Sequence, residues 1–312
     1  MVRRRPRALR PGDTLGVASP SGPIEAEALQ AGVAALEARG YRVVLGEHVR
    51  DTHPHNNYLA GTDADRAADL NALFAREDIA GILCARGGYG AMRLMDHLDW
   101  QAIATHPKVF VGFSDITSLH LALERHADLV TFHGPTLFGL PKLDLTAAGV
   151  FWQLLESPEP FGPLPAPPET IQTLVPGSVE GEMAGGCLCL LAHACGSSFA
   201  PDFRGKIVLI EDVNEAIYRA DRDLTQLKNA GLLEEAAGFV IGALSDWPKH
   251  EDDPPRNTPE ALWRDIFVPL GKPTIAGFPF GHVPNALTLP LGVRARLDAD
   301  ARTLTLLEPA TR

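Results

Sequence analysis

The chain has 312 residues, 45% of them hydrophobic and 21% charged, which excludes a largely disordered protein and leaves room for two domains around one cleft. Its formal net charge of -11 gives neither nucleic acid nor an anionic membrane an electrostatic reason to bind, so neither partner is expected. No segment is apolar for long enough to span a bilayer and no apolar stretch follows the N-terminal arginines, so a cytoplasmic protein is expected. Arg3, Arg4, Arg5 and Arg7 read as a frayed, solvated end.

In chain order, short β-branched runs alternate with longer helical patterns. Strands are predicted over 14–18, 41–45, 79–85, 108–112 and 129–132, and helices over 24–39, 63–76, 91–97 and 116–126. This series predicts a parallel sheet with helices on both faces. Seven prolines fall between 157 and 177, a composition that favours stiff, extended backbone and reads as an interdomain connection. Beyond it the pattern is mixed. A helix led by two glycines is predicted over 187–195, a strand over 206–210 and a helix over 217–230. A strand over 239–244, a helix over 259–267 and terminal strands within 287–307 complete the chain. The expected organisation is an N-terminal α/β domain (1–156), a linker (157–177) and a smaller C-terminal α/β domain (178–312).

Chemistry in such a sheet belongs at the carboxyl ends of the strands. Gly112-Phe113-Ser114-Asp115-Ile116 puts a serine at a strand-to-helix turn, in the manner of a nucleophile elbow whose second glycine is replaced by Ile116. The same serine could instead cap the following helix. Ala85-Arg86-Gly87-Gly88-Tyr89-Gly90 is a turn whose backbone N–H groups could cradle an oxyanion, although it is neither a dinucleotide fingerprint nor a Walker loop. A serine nucleophile needs a base, and the base needs an orienting group. His282, in an irregular stretch between apolar runs, and His133, at a strand end, are the competing bases. Glu211 and Asp212 leave one apolar strand together and are equally available as the carboxylate. The four cysteines do not make a disulfide scaffold, and Cys187-Leu-Cys189 lacks the usual zinc spacing, so no metal site is expected.

Taken together, Val17-Ala18-Ser19-Pro20-Ser21-Gly22-Pro23, the glycine turn, Gly112-Phe113-Ser114-Asp115, His133-Gly134-Pro135, Leu209-Ile210-Glu211-Asp212-Val213-Asn214-Glu215 and Phe280-Gly281-His282 resemble the LD-carboxypeptidases. That serine peptidase family also contains the microcin C immunity proteins. The resemblance spans nearly the whole chain. It implies a flavodoxin-like or glutamine-amidotransferase-like first domain, with Ser114 as nucleophile, His282 as base and Glu211 orienting it. It further implies an oxyanion hole from the N–H groups of Gly88 and Asp115, no cofactor, and a homodimer. The implied substrate is murein tetrapeptide, cut between the L-centre of diaminopimelate and terminal D-alanine. Arg219 and Arg222 match an arginine-bearing segment that could hold the substrate carboxylate, or else they pair with Asp221 or Asp223. Family members often carry Gly-Gly-Asn-Leu where this chain has Gly185-Gly186-Cys187-Leu188, so any substrate contact from that asparagine is absent. The alternatives are an immunity hydrolase acting on acyl-sulfamoyl adenylates and a non-catalytic muropeptide sensor.

Overall fold

The computed structural model describes residues 3–249 and 253–312. The chain divides into two units: Met1–Glu159 with Thr288–Gly292 and Pro309–Arg312, and Pro160–Leu287 with Val293–Glu308.

The first unit alternates β1 (Thr14–Ala18), α1 (Ala26–Ala38), β2 (Arg42–Leu45), α2 (Asp63–Ala75), β3 (Ile79–Cys84), α3 (Trp100–Thr105), β4 (Val109–Gly112), α4 (Thr117–Ala127), β5 (Thr131–His133) and α5 (Leu145–Glu156). Leu15, Val17, Ile82, Leu83, Phe110 and Val111 are completely buried, as near-continuous apolar strands of a covered parallel sheet should be. Burying each such side chain contributes about 1.5–3 kcal/mol, which makes the central strands a rigid frame for the loops that follow them. The parallel strands lie in the order β2-β1-β3-β4-β5, the flavodoxin-type arrangement. Strand order reverses between β1 and β3, so the loops after β1, β3 and β4 face the usual binding crevice. A capping box at the start of α2 secures that helix: Thr62 Oγ1 accepts from the Asp65 N–H (3.2 Å) and Asp65 Oδ2 accepts from the Thr62 N–H (3.3 Å).

The second unit contains β6 (Gly162–Pro163), β7 (Gln172–Val175), β8 (Ser178–Cys187), α6 (Leu188–His193), β9 (Ile207–Val213), α7 (Ile217–Asn229), α8 (Leu232–Glu235), β10 (Gly238–Ser245), α9 (Pro259–Phe267) and β11 (Thr274–Ala276). After β12 (Leu289–Leu291) come β13 (Arg294–Asp298) and β14 (Thr303–Leu306). Its eight strands run β6-β14-β13-β8-β9-β10-β11-β7. The middle, β8 to β11, is parallel and the flanks are antiparallel. Ile207 to Ile210 of β9 are completely buried, and the two acids that follow, Glu211 and Asp212, are still in the strand at the centre of the sheet.

Several expectations change. The first sheet is mixed, because β12 pairs antiparallel with β5 through Leu289↔His133 and Leu291↔Thr131. The expected boundaries at 157 and 178 differ from the observed division, since 160–177 joins the second unit and 288–292 and 309–312 return to the first. Within 157–177, β7 is an edge strand on β11, the sheet position that proline-flanked backbone tolerates. Residues 91–97 form 3₁₀ rather than α-helical turns, and α6 is shorter than the helix expected over 187–195. The N-terminal arginines are not all solvated. Arg3 donates to Glu124 Oε1 (2.7 Å) and Asp128 Oδ1 (3.1 Å), and the Arg4 N–H donates to the Asp128 carbonyl. Among the described residues, no helix is long and apolar enough to cross a membrane.

Candidate active site

In the first unit Ser114 lies two residues beyond the end of β4, after Phe113, and holds a left-handed backbone, φ 65. That conformation costs a non-glycine residue of order 1–3 kcal/mol, a strain that clusters at functional sites. Capping does not explain it: the turn Ser114–Ile116 is preceded by Phe113, and neither that turn nor α4 has a side-chain cap. The surrounding glycines are required by contact. A Cβ on Gly87 would lie 2.9 Å from Ser114 Cβ and 3.2 Å from Oγ, and one on Gly112 would meet the Ile116 side chain at 2.8 Å. Ile116 thus occupies the space that Gly112 leaves, and the elbow needs no second glycine there.

Beneath Ser114 the loops after β1, β3 and β4 are tied together. Asp115 Oδ2 accepts from Ser21 Oγ (2.6 Å) and from the Ala91 N–H (2.7 Å), and the Gly22 N–H donates to the Gly87 carbonyl (3.1 Å). Burial raises the Asp115 carboxyl, against the opposing pull of the Ser21 and Ala91 hydrogen bonds and the nearby Arg66 charge. Arg66, buried to 1% exposure, donates to the Pro20 carbonyl and to Asp63. These contacts hold the glycine turn in place. Gly88 lies on that turn at φ 119, and among the described residues no acceptor meets its backbone N–H. Ser21, Arg66 and Ala91 were not singled out individually in the sequence. Ser21 lies in a recognisable motif, but the other two sit in segments that read simply as helix.

In the second unit Glu211 lies in the buried part of β9 at 1% exposure. His282 Nδ1–H donates to Glu211 Oε2 at 2.6 Å, and the backbone N–H of His282 donates to the same oxygen at 3.1 Å. The pair fixes the orientation and tautomer of the imidazole. Burial works against a charged His282, but the Glu211 hydrogen bond and the Glu211, Asp212 and Asp246 charges outweigh it and raise its pKa. Burial raises Glu211 as well, opposed by His282. Gly281, φ +83, makes the approach possible, since a Cβ there would lie 2.3 Å from Glu211 Oε2.

The remaining candidates are placed as follows. Asp212 does not share the task of Glu211: its Oδ2 accepts the Cys189 N–H (2.8 Å) at the start of α6, while its Oδ1 faces Cys187 and Cys189. These three side chains form the one group of described residues clustered closely enough to hold a metal ion. His133 is 2% exposed and packs edge-on against Phe113 (5.9 Å) and His120 (6.4 Å). Arg219 lies on Tyr218 and approaches Glu215 (3.8 Å) rather than Asp221 or Asp223. Arg222 is exposed; burial raises the Glu215 and Asp223 carboxyls, and the Arg222 charge opposes that rise.

Comparison with known proteins gives these features a family. Residues 15–134 match the model of the LD-carboxypeptidase N-terminal domain, and residues 180–297 that of the LD-carboxypeptidase C-terminal domain. A Streptomyces coelicolor protein with a provisional carboxypeptidase name is 44% identical, over 98% of this chain and 97% of that one. The structure of muramoyltetrapeptide carboxypeptidase from Oxalobacter formigenes superposes with a TM-score of 0.80 at 30% identity, covering 94% of this chain and 97% of that one. The microcin C7 self-immunity protein MccF of Escherichia coli is 28% identical over 99% of this chain and 98% of its own length. A wild-type apo structure of MccF superposes with a TM-score of 0.88 at 26% identity, covering 99% and 100% of the two chains. On full-length identity, both domain matches and fold, the chain belongs to the LD-carboxypeptidase family.

Proposed function

We propose that the protein is a serine LD-carboxypeptidase that removes terminal D-alanine from murein tetrapeptide, acting as a cytoplasmic homodimer in peptidoglycan recycling. The observation that carries this reading is the 2.6 Å bond from His282 Nδ1 to the buried Glu211, which leaves Nε2 as the base. Ser114 Oγ attacks the carbonyl on the L-centre of diaminopimelate while Nε2 takes its proton. The N–H groups of Gly88 and Asp115 stabilise the oxyanion. Collapse of the tetrahedral intermediate breaks the C–N bond, and His282 returns the proton to the departing D-alanine amine. Water, activated by the same imidazole, then releases the tripeptide from Ser114. Glu211 keeps the imidazole in the required tautomer and stabilises its protonated form. No step needs a cofactor, and Arg219 and Arg222 on α7 are the cations assigned to the substrate carboxylate.

A second reading keeps this machinery and changes the acyl group's partner to a sulfamoyl adenylate. It is favoured by the likeness to MccF and by Tyr58 and Tyr89, exposed at 51% and 44% with ring centroids 5.9 Å apart beside the glycine turn. Such rings offer a purine a stacking surface.

Incubation with L-Ala-D-Glu-diaminopimelate-D-Ala, with D-alanine followed by mass spectrometry, separates these readings. Release that survives a chelator and is lost in Ser114→Ala is the expected result. Hydrolysis of an acyl-sulfamoyl adenosine without D-alanine release would select the second reading. Release persisting in Ser114→Ala would remove Ser114 as nucleophile, and saturable binding of either compound without turnover would point to a sensor.

A further inference from the structure

Where β8, α6 and β9 meet, two sulfurs and a carboxylate lie together that the proposed hydrolysis does not use. Cys187 Sγ is 3.6 Å from Cys189 Sγ and 3.3 Å from Asp212 Oδ1, and Cys189 Sγ is 3.9 Å from the same oxygen. Tetrahedral zinc, with Zn–S of about 2.3 Å and Zn–O of about 2.0–2.2 Å, has S–S edges of about 3.8 Å and S–O edges of about 3.5 Å. The three observed separations therefore match one face of that tetrahedron to within about 0.4 Å.

The sequence spacing hides this face. Cys187 ends β8 in extended conformation (φ -69, ψ 122) and Leu188 begins α6, so the chain turns between the two thiols and brings them to one side. Asp212 comes from the neighbouring strand, where Glu211 is in register with Cys187. Its carboxylate is already oriented, Oδ2 by the Cys189 N–H (2.8 Å) and Oδ1 by the Val213 N–H (2.8 Å). Hydrogen bonds of this kind fix ligand carboxylates in metal sites. Cys187 is buried, whereas Cys189 is partly exposed and gives an ion an approach.

We propose that Cys187, Cys189 and Asp212 form a binding site for one thiophilic dication of the zinc class, with the fourth position left to water. The ion takes the two sulfurs as thiolates, and their protons leave to solvent. It joins the ends of β8 and β9 beside Glu211 and stabilises the fold by mass action. The site is separate from the chemistry proposed for Ser114 and stands or falls independently of it.

The test uses the full chain, stripped with a chelator, in a reductant without thiols. Cobalt(II) titration should give sulfur-to-cobalt charge-transfer absorption and tetrahedral d–d bands that saturate at one equivalent. Zinc should bleach them and raise the thermal midpoint. Cys189→Ser, which changes the more exposed ligand, should weaken binding by about 100-fold or more, while Cys195→Ser should leave it unchanged. No charge-transfer band in the unmodified protein would overturn the proposal. So would an undiminished band in Cys189→Ser, or binding without sulfur absorption, such as surface histidines would give.

Discussion

Gly281→Ala tests whether the carboxylate–histidine pair depends on a missing side chain. An added Cβ would lie 2.3 Å from Glu211 Oε2 and 2.4 Å from Cδ, closer than any non-bonded contact allows. The carboxylate must then leave the position from which Oε2 accepts both His282 N–H groups. Backbone at φ +83 adds about 1–2 kcal/mol for an L-residue, and the lost charge-assisted hydrogen bonds add about 1.5–3 kcal/mol. Urea unfolding should therefore show roughly 3–5 kcal/mol of destabilisation. At temperatures where the variant stays folded, kcat should approach that of Glu211→Gln. By analogy with the orienting acid of serine proteases, that loss is about 10⁴-fold. Gly231→Ala supplies the control, because its φ of +76 carries the same backbone cost with nothing within 4 Å of the new Cβ, and it should keep full kcat. If Gly281 acts only through Glu211, the double variant Gly281→Ala/Glu211→Gln should be no slower than Glu211→Gln alone. A loss in Gly281→Ala below about 10-fold, or losses that multiply in the double variant, would refute the argument.

Two further outcomes follow from the buried titratable groups. Because Glu211 and the neighbouring acids raise His282, its Nε2 stays protonated above the ordinary imidazole range. The rising limb of kcat/KM should therefore lie alkaline of 6.5, and Glu211→Gln should move it to lower pH; a limb that does not move would separate the two residues functionally. His120 is fully buried, donates from Nε2 to the Gly112 carbonyl at 2.8 Å, and is pushed down to about 4 by burial, against the smaller effect of that carbonyl. The unfolded chain then takes up the proton first. Stability should fall as pH drops from 6.5 towards 4, by about 3 kcal/mol in all, and His120→Gln should abolish that slope in denaturant titrations at several pH values.

The sequence alone determined much of the first unit, because the information there is local. Alternating apolar runs and helical periods set the β-α series. The serine after Gly112-Phe113 and the glycines from Gly87 to Gly90 marked the turns at strand ends, since a tight turn imposes its backbone on nearby residues. Tertiary structure decided what depends on pairing across distance. Both His282 and His133 sat at plausible turns, and only folding shows one bonded to a carboxylate and the other packed under Phe113. Glu211 and Asp212 are chemically alike and adjacent, yet strand alternation sends one to His282 and the other to the thiols at the start of α6. The return of 288–292 to β5, the ion pairs that anchor Arg3 and the thiol–carboxylate face joined across β8 and β9 were likewise invisible in sequence. Each joins residues tens to more than a hundred positions apart, or depends on a change from strand to helix that spacing does not encode.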